Sequence, residues 1–179
     1  MNDSVVKEEI MDNIAMNGKD IAYLSALIAS GGEINIHGRE ITLDFITFNS
    51  IVAYDFCRLI KKEYKYNGEI SIKQPEDKRY NRYFIINLPS KISKELLRDT
   101  KMMQLNDNGE VSAVNFGMSP HAKENEKNFA SYVKGLFLTS GKVFLYEANY
   151  LIELLLPNTN IAQEVSSMLA MFNINCSIV

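Results

Sequence analysis

Cysteine and histidine are scarce in this chain, two of each among 179 residues. Cys57 and Cys176 stand far apart, too few for a disulfide framework, and they read as reduced thiols of a cytosolic protein. His37 and His121 cannot be joined to them by any ligand spacing that zinc uses, so no metal or other cofactor is expected. There is no Gly-x-Ser-x-Gly elbow and no Cys-His pairing of the kind that marks a nucleophile. No apolar run approaches the roughly 20 residues a membrane-spanning helix needs, and nothing resembles a secretory signal, so no membrane contact is expected. Positive charge is limited too: the formal net charge is -3 and the sequence pI is near 5.5. This excludes a domain that grips a phosphate backbone over its whole surface, and any contact with nucleic acid must be local.

What is present is enough apolar material, 46% of residues, to bury a core without a disulfide or metal. Val5, Ile10 and Ile14 recur at helical spacing up to Met16, and Asn17-Gly18 closes that segment. A second helix starts at Asp20, carries Ile21, Leu24, Leu27 and Ile28 on one face, and ends at Ser30-Gly31-Gly32, where glycine can take a left-handed backbone. The period then changes to two. Ile34 and Ile36, then Ile41, Leu43 and Phe45, form the apolar side of a hairpin turning at Gly38-Arg39. A helix over 50–64, a strand from Asn67-Gly68 to Lys73, a polar turn over 75–81, a strand over 83–88 and a helix over 91–103 follow. Asn106-Asp107-Asn108-Gly109 is a strong break, and 106–119 reads as a linker between a first unit (1–105) and a second (120–179). Ser119-Pro120 starts a helix running to Ser140. Strands over 143–146 and 150–156, a helix over 160–172 and a strand-like end over 176–179 complete the chain.

The two units share an order: helix, glycine stop, hairpin, helix. A shift of 109 residues with no gap pairs Tyr23 with Tyr132, Leu27 with Leu136, Gly32 with Gly141, Asn49 with Asn158 and Ala53 with Ala162. Identities are few, and two unrelated helix-hairpin-helix units are the alternative. The ungapped register across helix, stop, hairpin and cap favours duplication. By this comparison the second unit is incomplete, lacking the two strands and the helix that follow residue 64 in the first.

Leu24-Ser25-Ala26-Leu27-Ile28-Ala29-Ser30-Gly31-Gly32 resembles the first motif copy of the LAGLIDADG homing endonuclease fold, and Val133-Lys134-Gly135-Leu136-Phe137-Leu138-Thr139-Ser140-Gly141 resembles the second. Val5-Val6-Lys7-Glu8-Glu9-Ile10 and residues 132–143 further resemble the WhiA family of bacterial sporulation and cell-division regulators. The resemblance implies a duplicated α+β fold with Ala26, Gly31, Gly32, Gly135 and Gly141 at the packing of the two motif helices. It implies a non-catalytic, cytoplasmic and nucleoid-associated regulator of transcription, whose separate C-terminal helix-turn-helix does most of the DNA binding. In the nucleases the eighth motif position of each copy is an acid that holds a divalent metal against the scissile phosphates. Here those positions are Gly31 and Ser140, so no catalytic residue is assigned. Glu33 lies nearby, but its repeat partner is Lys142 and it reads as solvated. Gly135 to Lys142 has the wrong glycine spacing and setting for a phosphate loop.

Lys and Arg concentrate over 58–65, 73–82 and 91–101, for which solvated faces are the simpler reading. The fold uses the open sheet face as a saddle for duplex DNA. Asn35, Thr42 and the candidate contacts His37, Lys73, Arg79 and Arg82 fall there, making DNA a possible but weak partner of this chain. In the second unit Phe144, Tyr146, Leu151 and Leu155 fall outward beside Glu153. Those residues suit a protein interface, with the protein's own C-terminal DNA-binding region or another protein as partner.

Overall fold

The computed structural model describes residues 3–12, 20–76, 81–146 and 149–179. The α-helices among these residues are α1 (Asp3–Asp12), α2 (Ile21–Gly31), α3 (Ser50–Tyr64), α4 (Ser90–Asp99), α5 (Glu126–Ser140) and α6 (Thr159–Met171). The strands are β1 (Gly32–His37), β2 (Glu40–Thr47), β3 (Ile70–Lys73), β4 (Tyr83–Leu88), β5 (Met103–Leu105), β6 (Val111–Val114), β7 (Gly141–Tyr146) and β8 (Asn149–Leu154). Ile14, Met16, Asn17, Gly18 and Arg79 lie outside the described residues.

The first unit is a four-stranded antiparallel sheet of order β1-β2-β4-β3. Alternation puts Ile41, Leu43 and Phe45 on its inner side, fully buried. Beneath them lie Val52, Phe56, Leu59 and Ile60 of α3 and Leu96 and Leu97 of α4. Phe45 and Phe56 stack with centroids 4.2 Å apart. Ser93 of α4 ties the layers together, its hydroxyl accepting from Leu43 N at 2.9 Å and donating to Leu88 O at 3.0 Å.

Among the described residues the sheet of the second unit is the β7–β8 hairpin. Its core joins Phe129, Tyr132 and Leu136 of α5 to Ile161 and Val165 of α6, with Ala22 and Ala26 of α2. The shift of 109 residues holds in three dimensions. Gly32 faces Phe45 as Gly141 faces Leu154, Glu33 faces Asp44 as Lys142 faces Glu153, and His37 faces Glu40 as Tyr146 faces Asn149. Asn49 and Asn158 both cap the following helix, accepting from Ile51 N and Ile161 N at 2.9 Å each.

Several sequence expectations need correction. The fourth helix ends at Asp99, and Met103–Leu105 instead pairs with Val111–Val114 inside the stretch read as a linker. The break at Asn106 is that hairpin's turn: Asn106 Oδ1 accepts from Asn108 N and Glu110 N at 3.0 Å, and Gly109 takes φ 76°. Strands of three and four residues with a register shift at Gln104/Leu105 are too short to show a period. Ser119 does not cap α5. Its hydroxyl donates to Thr100 O at 2.8 Å, a single 3₁₀ turn occupies Pro120–Lys123, and Asn125 is the cap. Residues 174–179 form no strand.

The glycines that stop α2 and α5 are not left-handed, since Gly32 has φ -90° and Gly141 φ -77°. They are there for close approach: a Cβ on either would stand 2.6 Å from a carbonyl of its own helix, Ile28 O or Phe137 O. Gly32 and Gly141 therefore shape the helix-strand corner of their own units and not the contact between motif helices. That contact is made by α2 and α5 through Gly135, where a Cβ would lie 2.6 Å from Ala26 Cβ and 3.0 Å from Tyr23 O. Alanine at 135 would gain about 1 kcal/mol of helix propensity. It would meet a Cβ and a carbonyl that cannot rotate away, so overpacking at about 1–3 kcal/mol outweighs the gain. Urea titration of Gly135→Ala should show a net loss of stability; an unchanged or raised midpoint would count against this account of the contact.

Candidate functional site

The two motif helices end side by side and deliver the chain into the two hairpins, so the site to examine is the helix ends and the outer faces of the sheets. At the end of α2, Gly31 is walled in. A Cβ there would stand 2.7 Å from Ile46 O, 2.7 Å from the Phe45 ring and 3.2 Å from Thr139 Cγ2 of α5. At the end of α5, Ser140 Oγ donates back to Leu136 O at 3.0 Å. Neither position carries a carboxylate. Among the described residues no group of three or more His, Cys, Asp or Glu is placed to hold a metal ion.

The open face of the first sheet follows from register. Glu33, Asn35 and His37 of β1 share it with Glu40, Thr42, Asp44 and Ile46 of β2, Tyr83, Ile85 and Asn87 of β4, and Ser71 and Lys73 of β3. Glu33 and Asp44 stand directly opposite, a like-charge pair. Asp44 is compensated by amides: Asn87 Nδ2 donates to it at 2.7 Å and Asn35 Nδ2 at 3.4 Å. The polar, partly basic face expected from the sequence is thus acidic at its centre. The alternation that selected Asn35 and Thr42 also selects Glu33 and Asp44, so the signal was there.

His37 and Lys73 are exposed on this face but sit at diagonal corners, on the two edge strands β1 and β3. Arg82 is exposed just before β4, outside the ladder. These three are not brought together, and Arg79 lies outside the described residues.

In the second unit Phe144 and Leu151 are cross-strand partners on the outer face, with Leu155 just beyond β8. Tyr146 pairs by backbone with Asn149. The side expected to be inner is open as well: Leu145, Tyr150 and Ile152 are 55%, 64% and 62% exposed. The counterparts of Tyr150 and Ile152 are Ile41 and Leu43, which are buried in the core that α4 helps to form, and among the described residues no element takes that place on β7–β8.

Sequence reasoning missed a buried pair that the repeat relates. Tyr23 Oη donates to Asp55 at 3.0 Å, and Asp55, itself buried, also accepts from Arg58 Nη2 at 2.5 Å. Burial, then Asp55, pushes the Tyr23 phenol well above its ordinary range. The shift of 109 maps Tyr23 and Asp55 to Tyr132 and Glu164. There the acid has turned away: Glu164 accepts from Met118 N and Lys123 Nζ, both at 2.5 Å, and the fully buried Tyr132 hydroxyl has no partner among the described residues. Burial pushes Tyr132 up, with Glu164 adding to the shift. For Glu164 burial acts upward, but the Lys123 and Met118 bonds outweigh it and hold the carboxyl below its usual value.

The structure is similar to known proteins throughout its length. A model of the WhiA N-terminal LAGLIDADG-like domain matches residues 17–103, and a model of the WhiA LAGLIDADG-like domain matches 129–179. The probable cell division protein WhiA of Clostridium acetobutylicum is 24% identical over 164 residues, covering 90% of this chain and 51% of that protein. The Streptococcus thermophilus protein of the same name is 28% identical over 174 residues, covering 97% and 54%. The chain thus spans about half the length of these curated relatives. The N-terminal LAGLIDADG domain of DUF199/WhiA superposes with a TM-score of 0.67 at 17% identity, covering 100% of this chain and 78% of that one. Full-length DUF199/WhiA from Thermatoga maritima gives 0.66 at 18%, covering 98% and 52%. The homing endonuclease I-DmoI in complex with DNA and Mn gives 0.57 at 14%, covering 90% and 81%.

The two tyrosines should answer differently to loss of the hydroxyl. Tyr23→Phe removes a bond to a buried carboxylate and should cost about 1.5–3 kcal/mol, whereas Tyr132→Phe removes an unpaired group and should be neutral or stabilising. Equal losses in chemical denaturation would contradict the assigned bonding. Because the folded-state carboxyl of Glu164 lies below its unfolded value, its contribution is fully present above the ordinary glutamate range and is lost as pH falls through the folded value. Glu164→Gln should flatten that acid limb of the stability profile; an identical limb in the variant would refute the assignment.

Proposed function

The chain belongs to the WhiA family, and from that premise we propose that it is a non-catalytic, DNA-associated regulatory domain that positions or modulates a separate C-terminal helix-turn-helix. The observation that carries this reading is the end of α2. The position that the resemblance assigns to a metal-binding acid is a glycine packed against Ile46 O, Phe45 and Thr139, and its partner Ser140 spends its hydroxyl on Leu136 O. Two-metal phosphodiester cleavage needs carboxylates there, and this chain supplies none.

The charge pattern supports weak DNA association and not a tight saddle. Glu33, Glu40 and Asp44 oppose phosphate on the open sheet face, and Lys73 and His37 stand at its margins. Contacts that neutralise few phosphates lose affinity quickly with salt and leave sequence readout to another module. Among the described residues no helix is long and apolar enough to cross a membrane. A second reading, a protein-interaction module without DNA binding of its own, is favoured by the exposed apolar residues on both faces of β7–β8.

A gel-shift series with plasmid and Mg²⁺ across roughly 50–200 mM salt tests both readings. The regulatory reading expects intact plasmid and weak retention that disappears over this range. Cleaved plasmid would overturn it in favour of a nuclease, and no retention at any salt would favour the interaction module.

A further inference from the structure

α4 sorts the basic run over 91–101 onto one side of the first unit. Ile92, Ser93, Leu96 and Leu97 turn into the core, which sends Lys91, Lys94 and Arg98, at i, i+3 and i+7, to the outer side of the helix. Lys101 follows just past the helix end with φ 59°. It shares with Arg98 a hollow of about 400 Å³, so the row continues there. At 1.5 Å per residue the four cations span about 15 Å. Lys91, Arg98 and Lys101 are exposed, and Lys94 is half-buried.

The acids of the same segment stand to one side of this row. Asp99 accepts from Tyr64 Oη of α3 at 3.2 Å, and the charge of Glu95 bears on that same phenol. Arg98 reaches Asp99 only at 3.9 Å and keeps its side chain 67% exposed. The β5–β6 turn, which Lys94 reaches at Gly109, carries Asp107 and Glu110, and Glu110 is engaged by Arg39 at 3.5 Å.

A row of fixed cations suits a polyanion, and the composition of the helix surface says which kind. None of the exposed large hydrophobic residues lies on α4, whereas a protein interface is built on an apolar centre. Phosphate contact needs no such centre. A duplex carries one negative charge per roughly 1.7 Å of its axis, so each cation of the row can find a phosphate. The open sheet face, by contrast, carries Glu33, Glu40 and Asp44. We propose that this chain holds duplex DNA by its phosphate backbone on the outer side of α4, through Lys91, Lys94, Arg98 and Lys101, and not on the open face of the first sheet. The inference rests on the DNA-associated reading and names the surface that serves it.

Fluorescence anisotropy of the full chain with two labelled duplexes of unrelated sequence, across roughly 50–200 mM salt, tests this. Both duplexes should bind alike, and four phosphate contacts make the affinity fall roughly a hundredfold over that range. Lys91→Gln/Lys94→Gln/Arg98→Gln/Lys101→Asn should weaken binding about tenfold or more and flatten the logarithmic salt slope by about three to four. Asparagine is chosen at 101 because that backbone is left-handed. Far-UV circular dichroism should not change, and if it does, Lys91→Gln/Lys94→Gln alone should give about half the change in slope. Glu33→Gln/Asp44→Asn should leave the affinity within about twofold, because the duplex does not lie on the sheet. A tightening of about tenfold or more in that variant, or unchanged binding by the α4 variants, would overturn the proposal and leave the DNA-associated reading standing. Binding of neither duplex at the lowest salt would overturn both. A labelled polyglutamate bound as tightly as the duplexes would assign α4 to an acidic protein instead.

Discussion

Everything in this fold is hung on the contact between α2 and α5. Gly135 and Ala26 bring the two backbones together, and each core borrows from the other helix: Leu138 of α5 reaches into the first core, while Ala22 and Ala26 of α2 belong to the second. Because both helices then run directly into a strand, their separation also sets how the two hairpins stand at the helix ends. A larger side chain at this one place would disturb both cores and both sheets together.

Much of this was legible in the sequence because it depends on period and on local chemistry. The ungapped register of 109 residues reappears as matched cross-strand pairs, matched helix ends and two asparagine caps. What was not legible depended on short or distant partners. The β5–β6 hairpin is held by Asn106 and by its fit below α4, not by a pattern of its own. Ser119 looked like a cap, yet it bonds to Thr100, 19 residues away in the chain. Glycine at helix ends suggested a turn of the backbone, whereas Gly32 and Gly141 answer to crowding.

The candidate site was legible only in part. That no acid stands at Gly31 and Ser140 could be read, but that no side chain fits at Gly31 could not, because its walls come from two other places in the chain, Phe45 and Ile46 of β2 and Thr139 of α5. The basic residues were easy to count and hard to place; His37 and Lys73 share a face without sharing a site. The divergence of Tyr23–Asp55 from Tyr132–Glu164 was invisible, since each pair is a tyrosine and an acid at the same spacing and the neighbours decide where the acid bonds: Arg58 in the first unit, Met118 and Lys123 in the second.

The walls around Gly31 make that position contingent on its surroundings. An acid introduced there meets a main-chain oxygen of β2, an aromatic ring of the core and a methyl group of the other motif helix at once. Room for a side chain at the helix end requires changes at Phe45, Thr139 or the course of β2 first, and Phe45 is a fully buried member of the first core. What position 31 can hold is thus decided by packing before the chemistry of any added group comes into play.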